Sequence, residues 1–115
     1  MMLKTLEFRE LGKTDLIPQA IIRKPITYFE RQAGTLVRDC DALDFFEGAA
    51  FALEDGLPFA LIHHRGNPAD ETTLYLTRDC GRDTGGITNS IRRILRALQL
   101  TDDSLVWERQ NGPEL

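Results

Sequence analysis

The sequence predicts an α+β domain of two layers, in which a mainly antiparallel sheet of five or six strands carries two helices on one face. Three observations support this prediction. Apolar residues recur at helical spacing in two segments, short apolar or alternating runs lie around them, and turns rich in Gly, Pro, Asn and Asp separate the runs. The length of 115 residues corresponds to a single domain.

The order of these segments predicts a topology. From residue 34 to residue 110 it is strand, helix, strand, strand, helix, strand, the β-α-β-β-α-β arrangement of ferredoxin-like folds. Residues 1–33 are expected to form a β-rich N-terminal extension, and residues 111–115 a tail. The strands predicted within the extension are residues 3–9, 21–24 and 26–30.

The first predicted helix spans residues 41–56. Asp41 can accept hydrogen bonds from the free backbone N–H groups of a first turn, and Gly56 suits the left-handed conformation that ends a helix. Apolar residues between them recur at the spacing of one helical face, namely Leu43, Phe46, Ala50 and Leu53. This pattern predicts a helix with a broad buried face.

Two strands joined by a turn follow this helix. Residues 57–65 form a nearly continuous apolar run, which is typical of a strand buried on both faces. Residues 72–77 alternate, and the loop-forming residues 66–71 lie between, so an antiparallel hairpin is expected. In ferredoxin-like order the first of these strands lies at a sheet edge. We therefore expect the N-terminal extension or a second copy of the chain to cover it.

The second predicted helix begins near Thr84 and ends before Asp102. Its apolar residues follow the helical template, and they are Ile87, Ile91, Ile94, Leu95 and Leu98. A strand is predicted at residues 35–40, before the first helix, and another at residues 104–109, after the second. Four aromatic residues are expected in the core, namely Phe51, Phe59, Tyr75 and Trp107.

Composition and charge exclude several classes of protein. The formal net charge of −4 argues against a general nucleic-acid or anionic-membrane binder. No apolar run approaches the roughly 20 residues of a membrane helix, and the first residues lack the apolar stretch of a signal peptide, so a cytoplasmic protein is expected. Cys40 and Cys80 are expected to be free thiols. No cofactor and no metal site are predicted, because no Cys or His lies at metal-binding spacing.

A glycine-rich segment at residues 81–88 is the strongest ligand-binding candidate. It opens the second helix, where free backbone N–H groups can hold an anion. Its spacing resembles that of a P-loop, but Ile87 occupies the lysine position, so NTP hydrolysis is not expected. The predicted ligand-binding residues are Gly81, Arg82, Thr84, Gly85, Gly86, Thr88 and Arg92. The alternative is a connector whose glycines only turn the chain.

Segregated charge and an uncovered strand favour a protein-interaction role. The first predicted helix carries only acidic charges, and the second carries Arg92, Arg93 and Arg96. Such faces can pair with each other or dock a partner. The leading hypothesis is a non-enzymatic protein-interaction or regulatory module that acts as a homodimer, whose association a charge at Ile62 would disrupt.

Two further hypotheses remain open. The first is a small-ligand or phosphate sensor that uses the 81–88 segment. The second is an enzyme that uses His63 or His64 as a base, or Cys40 as a nucleophile. Adjacent strand residues point to opposite faces, so the two histidines cannot easily act on one group. No catalytic residue is assigned.

Overall fold

Seven antiparallel strands form one sheet in the computed structural model, which describes residues 3–8, 11, 16–34, 36–40, 45–77 and 86–109. The strands are β1 Lys4–Leu6, β2 Leu16–Ile22, β3 Val37–Cys40, β4 Phe45–Ala52, β5 Pro58–His64, β6 Thr72–Thr77 and β7 Leu105–Glu108. The helices are α1 Glu30–Ala33 and α2 Gly86–Ala97, with 3₁₀ helices at Ile26–Phe29 and Asp102–Ser104.

The order across the sheet is β1-β4-β5-β6-β2-β7, and β3 also pairs with β4. β4 pairs with β1 near its end, where Leu6 faces Ala50, and with β3 near its start, where Val37 faces Gly48. One edge of the sheet is therefore divided between β1 and β3, and the other edge consists of β7.

The main core lies between the sheet and its helices. Phe29, in the first 3₁₀ helix, Ile91, in α2, and Leu98, directly after α2, are fully buried in it. The sheet contributes alternate residues of its central strands, namely Ala20, Ile22, Ala49, Phe51, Phe59, Leu61, Leu74 and Leu76. Both helical segments therefore pack against the same face of the sheet.

A smaller core covers part of the opposite face. Ala50 and Ile62 lie in it, one residue out of step with the strand residues of the main core. Leu11 is buried there, and Phe8 packs edge-to-face on Phe46 at a centroid distance of 6.0 Å. Phe8 and Leu11, which follow β1, thus cover part of the second face of the sheet.

Most of the predicted elements are confirmed. The protein is an α+β domain with a mainly antiparallel sheet, and β5 and β6 form the expected hairpin. The predicted strands at residues 35–40 and 104–109 correspond to β3 and β7, and the predicted second helix corresponds to α2. Phe51 and Phe59 are fully buried, as expected.

The predicted helix at residues 41–56 is wrong, because residues 45–52 form strand β4. Its second half, residues 48–52, is buried on both faces, because Ala49 and Phe51 lie in the main core and Ala50 in the smaller one, so this half is a continuous run of small and apolar residues. Gly56 does adopt a positive φ of 96°. Here it completes the β4–β5 hairpin turn, in which Gly56 N donates to Leu53 O and Leu53 N donates to Leu57 O.

The ferredoxin-like order is not confirmed, and the sheet has seven strands instead of five or six. A strand replaces the first helix, and β2 from the N-terminal region lies inside the sheet between β6 and β7. Residues 26–30, predicted as a strand, form a 3₁₀ helix and the start of α1. The predicted tail at residues 111–115 lies outside the described residues.

Candidate functional site

The predicted anion-binding segment is described only in part. Gly81, Arg82, Thr84 and Gly85 lie outside the described residues, as does Cys80. Gly86 is the buried first residue of α2 and has a φ of 53°, and Thr88 is half-buried in the first turn. The ligand-binding role of this segment stays a prediction.

Arg92, the last residue of that predicted site, is already held by other side chains. Its two terminal nitrogens donate to the two carboxylate oxygens of Glu108 in β7, at 3.1 and 2.9 Å. Its Nε lies 3.3 Å from Asp102 Oδ2. The hydrogen bond to Glu108 is the main cause that raises the pKa of Arg92. The guanidinium thus anchors α2 to β7, and this arrangement does not favour phosphate binding by Arg92.

The predicted pairing of an acidic helix with a basic helix is wrong, because the acidic helix is absent. Arg93 of α2 instead binds Asp55 in the β4–β5 turn, and its hydrogen bond lowers the pKa of Asp55. Arg96 forms no ion pair with any residue that the structure describes. The arginines of α2 serve mainly to bind neighbouring elements to it.

The structure describes both histidines of the enzyme hypothesis and the backbone of Cys40, and a catalytic role for them stays a prediction. His63 Nε2 lies 3.2 Å from Asn67 O, within its own hairpin. The His64 ring lies beside the Phe46 ring, at a centroid distance of 5.8 Å and an interplanar angle of 54°. Cys40 ends β3, opposite Phe45. No group of three or more potential metal ligands occurs in the described part of the chain.

The strand expected to need a cover already has one. β5 lies between β4 and β6, and Ile62 is buried in the smaller core. A charge at Ile62 would therefore damage the fold itself. β7 is an edge strand, which pairs with β2 on one side and with no other described strand.

β7 exposes two large apolar side chains. Trp107 is 42% exposed and Val106 is 39% exposed. The register shifts between the pairs Ile21–Trp107 and Ile22–Leu105, which leaves Val106 without a partner residue in β2. We call residues 105–109 the β7 edge. The prediction that Trp107 lies in the core is wrong, because an edge strand has a neighbour on one side only.

Arg109 fixes the end of the β7 edge. Its backbone N donates to Gln19 O at 2.8 Å, and its Nε and Nη2 donate to Pro18 O at 3.3 and 3.2 Å. Its guanidinium carbon lies 5.9 Å from the centroid of the Trp107 ring. These contacts hold Trp107 and Arg109 side by side at the surface, a combination that is enriched at protein interfaces.

Comparison with known proteins identifies no relative. The chain matches no protein-family model, and searches of the curated proteins and of the solved structures gave no match. None of the described helices is long and apolar enough to cross a membrane.

Proposed function

We propose that this protein is a non-enzymatic protein-interaction module that acts as a homodimer through the β7 edge. The observation that carries the proposal is the exposure of Trp107 and Val106 on a strand with one described neighbour. An open apolar edge is a template for pairing with another chain.

The side chains of this edge are suited to binding. Tryptophan and arginine dominate the binding energy of many protein interfaces. Tryptophan buries a large surface at little conformational cost, and arginine offers several hydrogen-bond donors in a fixed plane. An aromatic side chain of this kind buries on the order of 150–250 Å². Arg109 is held beside Trp107 by its contacts to Pro18 O, so part of the ordering cost of an interface is met before binding.

A second copy of the chain is the partner that fits this edge. An antiparallel strand pair can be symmetric about a two-fold axis, so β7 can pair with β7 of a second copy without any other surface. The β7 edge is also preceded by the acidic residues Asp102 and Asp103 and ends with Arg109. Two antiparallel copies would place unlike charges together.

Light scattering coupled to size exclusion tests the proposal. We expect a mass near twice the chain mass of 13.0 kDa, falling towards the chain mass on dilution. Val106→Lys should shift the protein to the monomer, because two lysines would meet near the axis, and should weaken association about tenfold or more.

Val37→Lys is the matched control, because Val37 is 42% exposed, close to the 39% of Val106, and lies on the opposite edge. It should leave the mass unchanged. A wild-type protein that is monomeric at hundreds of micromolar, or equal effects of the two substitutions, would refute the proposal.

The phosphate-sensor hypothesis has a separate test. Thermal unfolding should be compared with and without inorganic phosphate and nucleotides, in the wild type and in Gly86→Val. A ligand at 100 times its Kd would add roughly 2.7 kcal/mol of stability. A rise in the unfolding midpoint that depends on Gly86, in a protein that does not dimerise, would favour the sensor over the interaction module.

A further inference from the structure

We infer that the charges at the two ends of the β7 edge orient the homodimer, with Asp103 of each copy beside Arg109 of the other. This inference rests on the proposed function. It names the residues that determine which way the second copy binds.

The acidic end is the 3₁₀ helix Asp102–Ser104, which leads directly into β7. Asp102 is bound to Arg92, with its carboxylate oxygen 3.3 Å from Arg92 Nε. Asp103 is exposed and forms no ion pair within the described part of the chain. Asp103 is therefore the acid of this turn that can face another chain.

The basic end is Arg109, which is also exposed. Its Nε and Nη2 share one acceptor, Pro18 O. A guanidinium has five N–H donors in a fixed plane, so donors remain for a carboxylate of a second chain. The backbone hydrogen bond from Arg109 N to Gln19 O fixes the position of Arg109 at the end of β7.

Antiparallel geometry brings these two ends together. If the two-fold axis passes near Val106, the start of β7 in one copy lies beside the end of β7 in the other, and the 3₁₀ helix that carries Asp103 stands at that start. Asp103 then meets Arg109, and the contact forms twice. A parallel pair would instead place Asp103 beside Asp103 and Arg109 beside Arg109, which is unfavourable.

A charge exchange between two chains tests this orientation. Asp103→Arg gives a homodimer with arginine facing arginine at both contacts, and Arg109→Asp gives aspartate facing aspartate. Each should dimerise about tenfold more weakly than the wild type at low salt. Mixed together, the two variants form a heterodimer in which both contacts join unlike charges.

Native mass spectrometry of the mixture, with one chain isotopically labelled, measures the result. We expect the heterodimer to make up more than half of all dimers, which is the share that random association gives. Added salt should bring this share back towards one half, because salt screens the charges. The control mixture is Glu54→Arg with Arg96→Glu, which changes the net charges equally at exposed residues away from β7. It should show no comparable preference.

The outcomes separate this inference from the proposed function. Wild-type dimers with a statistical mixture of the two variants would overturn the orientation and leave the dimer standing. A heterodimer excess equal to that of the control mixture would also overturn the orientation, because it would reflect only the overall charges of the two chains. A monomeric wild type would overturn both.

Discussion

The two edges of the sheet differ in what they offer to another chain. The β7 edge is one strand with Val106 and Trp107 at its centre. The opposite edge is divided between β1 and β3 and carries the exposed charges of Lys4 and Arg38. Val37 is exposed on that edge as well, so apolar exposure alone does not distinguish the two. Interrupted strands and charged side chains are the means by which sheet edges avoid pairing.

The edges also differ in how they are attached to the domain. Arg92 and Glu108 hold β7 to α2 through two hydrogen bonds, with side-chain exposures of 33% and 18%. Arg38 and Glu47 join β3 to β4 with exposures of 73% and 31%. The same residue types thus form a partly buried anchor on one edge and a solvated contact on the other. A docking edge needs such an anchor, because a mobile strand would bind at a higher entropic cost.

The largest expected effect concerns the strand that supports the divided edge. A Cβ at Gly48 would lie 2.6 Å from Leu61 O and 3.1 Å from a side-chain carbon of Phe8. Gly48→Ala should therefore destabilise the fold by about 1–3 kcal/mol, measured by chemical unfolding. At an unconstrained site the same change stabilises by about 0.4–1 kcal/mol. A stabilised variant would show that β4 and β5 can separate without cost.

The next effect compares the two ion pairs. Arg92→Ala leaves the half-buried Glu108 unpaired and should cost about 1–2 kcal/mol, allowing for solvent screening. Arg38→Ala, its counterpart on the opposite edge, should cost clearly less, because the Arg38 guanidinium is exposed to solvent. Urea unfolding of both variants measures the difference. Equal losses would contradict the distinction between an anchored and a loosely attached edge.

A smaller signal comes from Trp107, which is the only tryptophan in the chain. Its fluorescence should shift to shorter wavelength as the protein concentration rises, because dimerisation removes water from the indole ring. Val106→Lys should abolish the shift, and Val37→Lys should leave it. A spectrum independent of concentration, in samples that light scattering shows to change mass, would place the interface elsewhere.

The smallest effect is the pH dependence from Asp55. The hydrogen bond from Arg93 lowers the pKa of Asp55 below its ordinary value of 3.8. Its contribution to stability is therefore present above pH 3.8 and is lost as the pH falls through the lowered pKa. Asp55→Asn should lower the unfolding midpoint slightly at pH 7. It should leave the midpoint unchanged at a pH below the lowered pKa, where the carboxyl group is protonated. Glu54→Gln, also exposed in the same turn, is the control.

The elements predicted from the sequence are confirmed where the spacing of apolar residues fits only one kind of element. The apolar residues of α2 fit only a helical template, and residues 72–77 alternate as a strand with one buried side does. β4 is different, because the run from Phe45 to Ala52 fits both a helical face and a strand buried on two sides. Gly48 within that run is unfavourable in a helix by about 1 kcal/mol. Asp55-Gly56 is a hairpin signal, and together these two features could have corrected the prediction.

The β7 edge could be predicted only in part. Residues 105–108 are confirmed as a strand, but edge and interior strands of this length cannot be distinguished from their own residues. The position of β7 depends on β2, whose sequence contains Pro18. A proline inside a sheet is tolerated at a bulge, and β2 has its register shift between Pro18 and Ala20. The local signal for β2 is therefore weak, and the neighbour of β7 is not evident from the sequence.

The position of β2 in the sheet affects the order in which the strands can assemble. Both neighbours of β2 come much later in the chain, since Ile22 pairs with Thr72 and with Leu105. The consecutive strands β3 to β6 pair mainly with their successors and can assemble during synthesis, whereas β2 must wait for them. β7 closes the sheet after β2 is in place. The β7 surface therefore forms late, and in the proposed dimer association through it would select against incompletely folded copies.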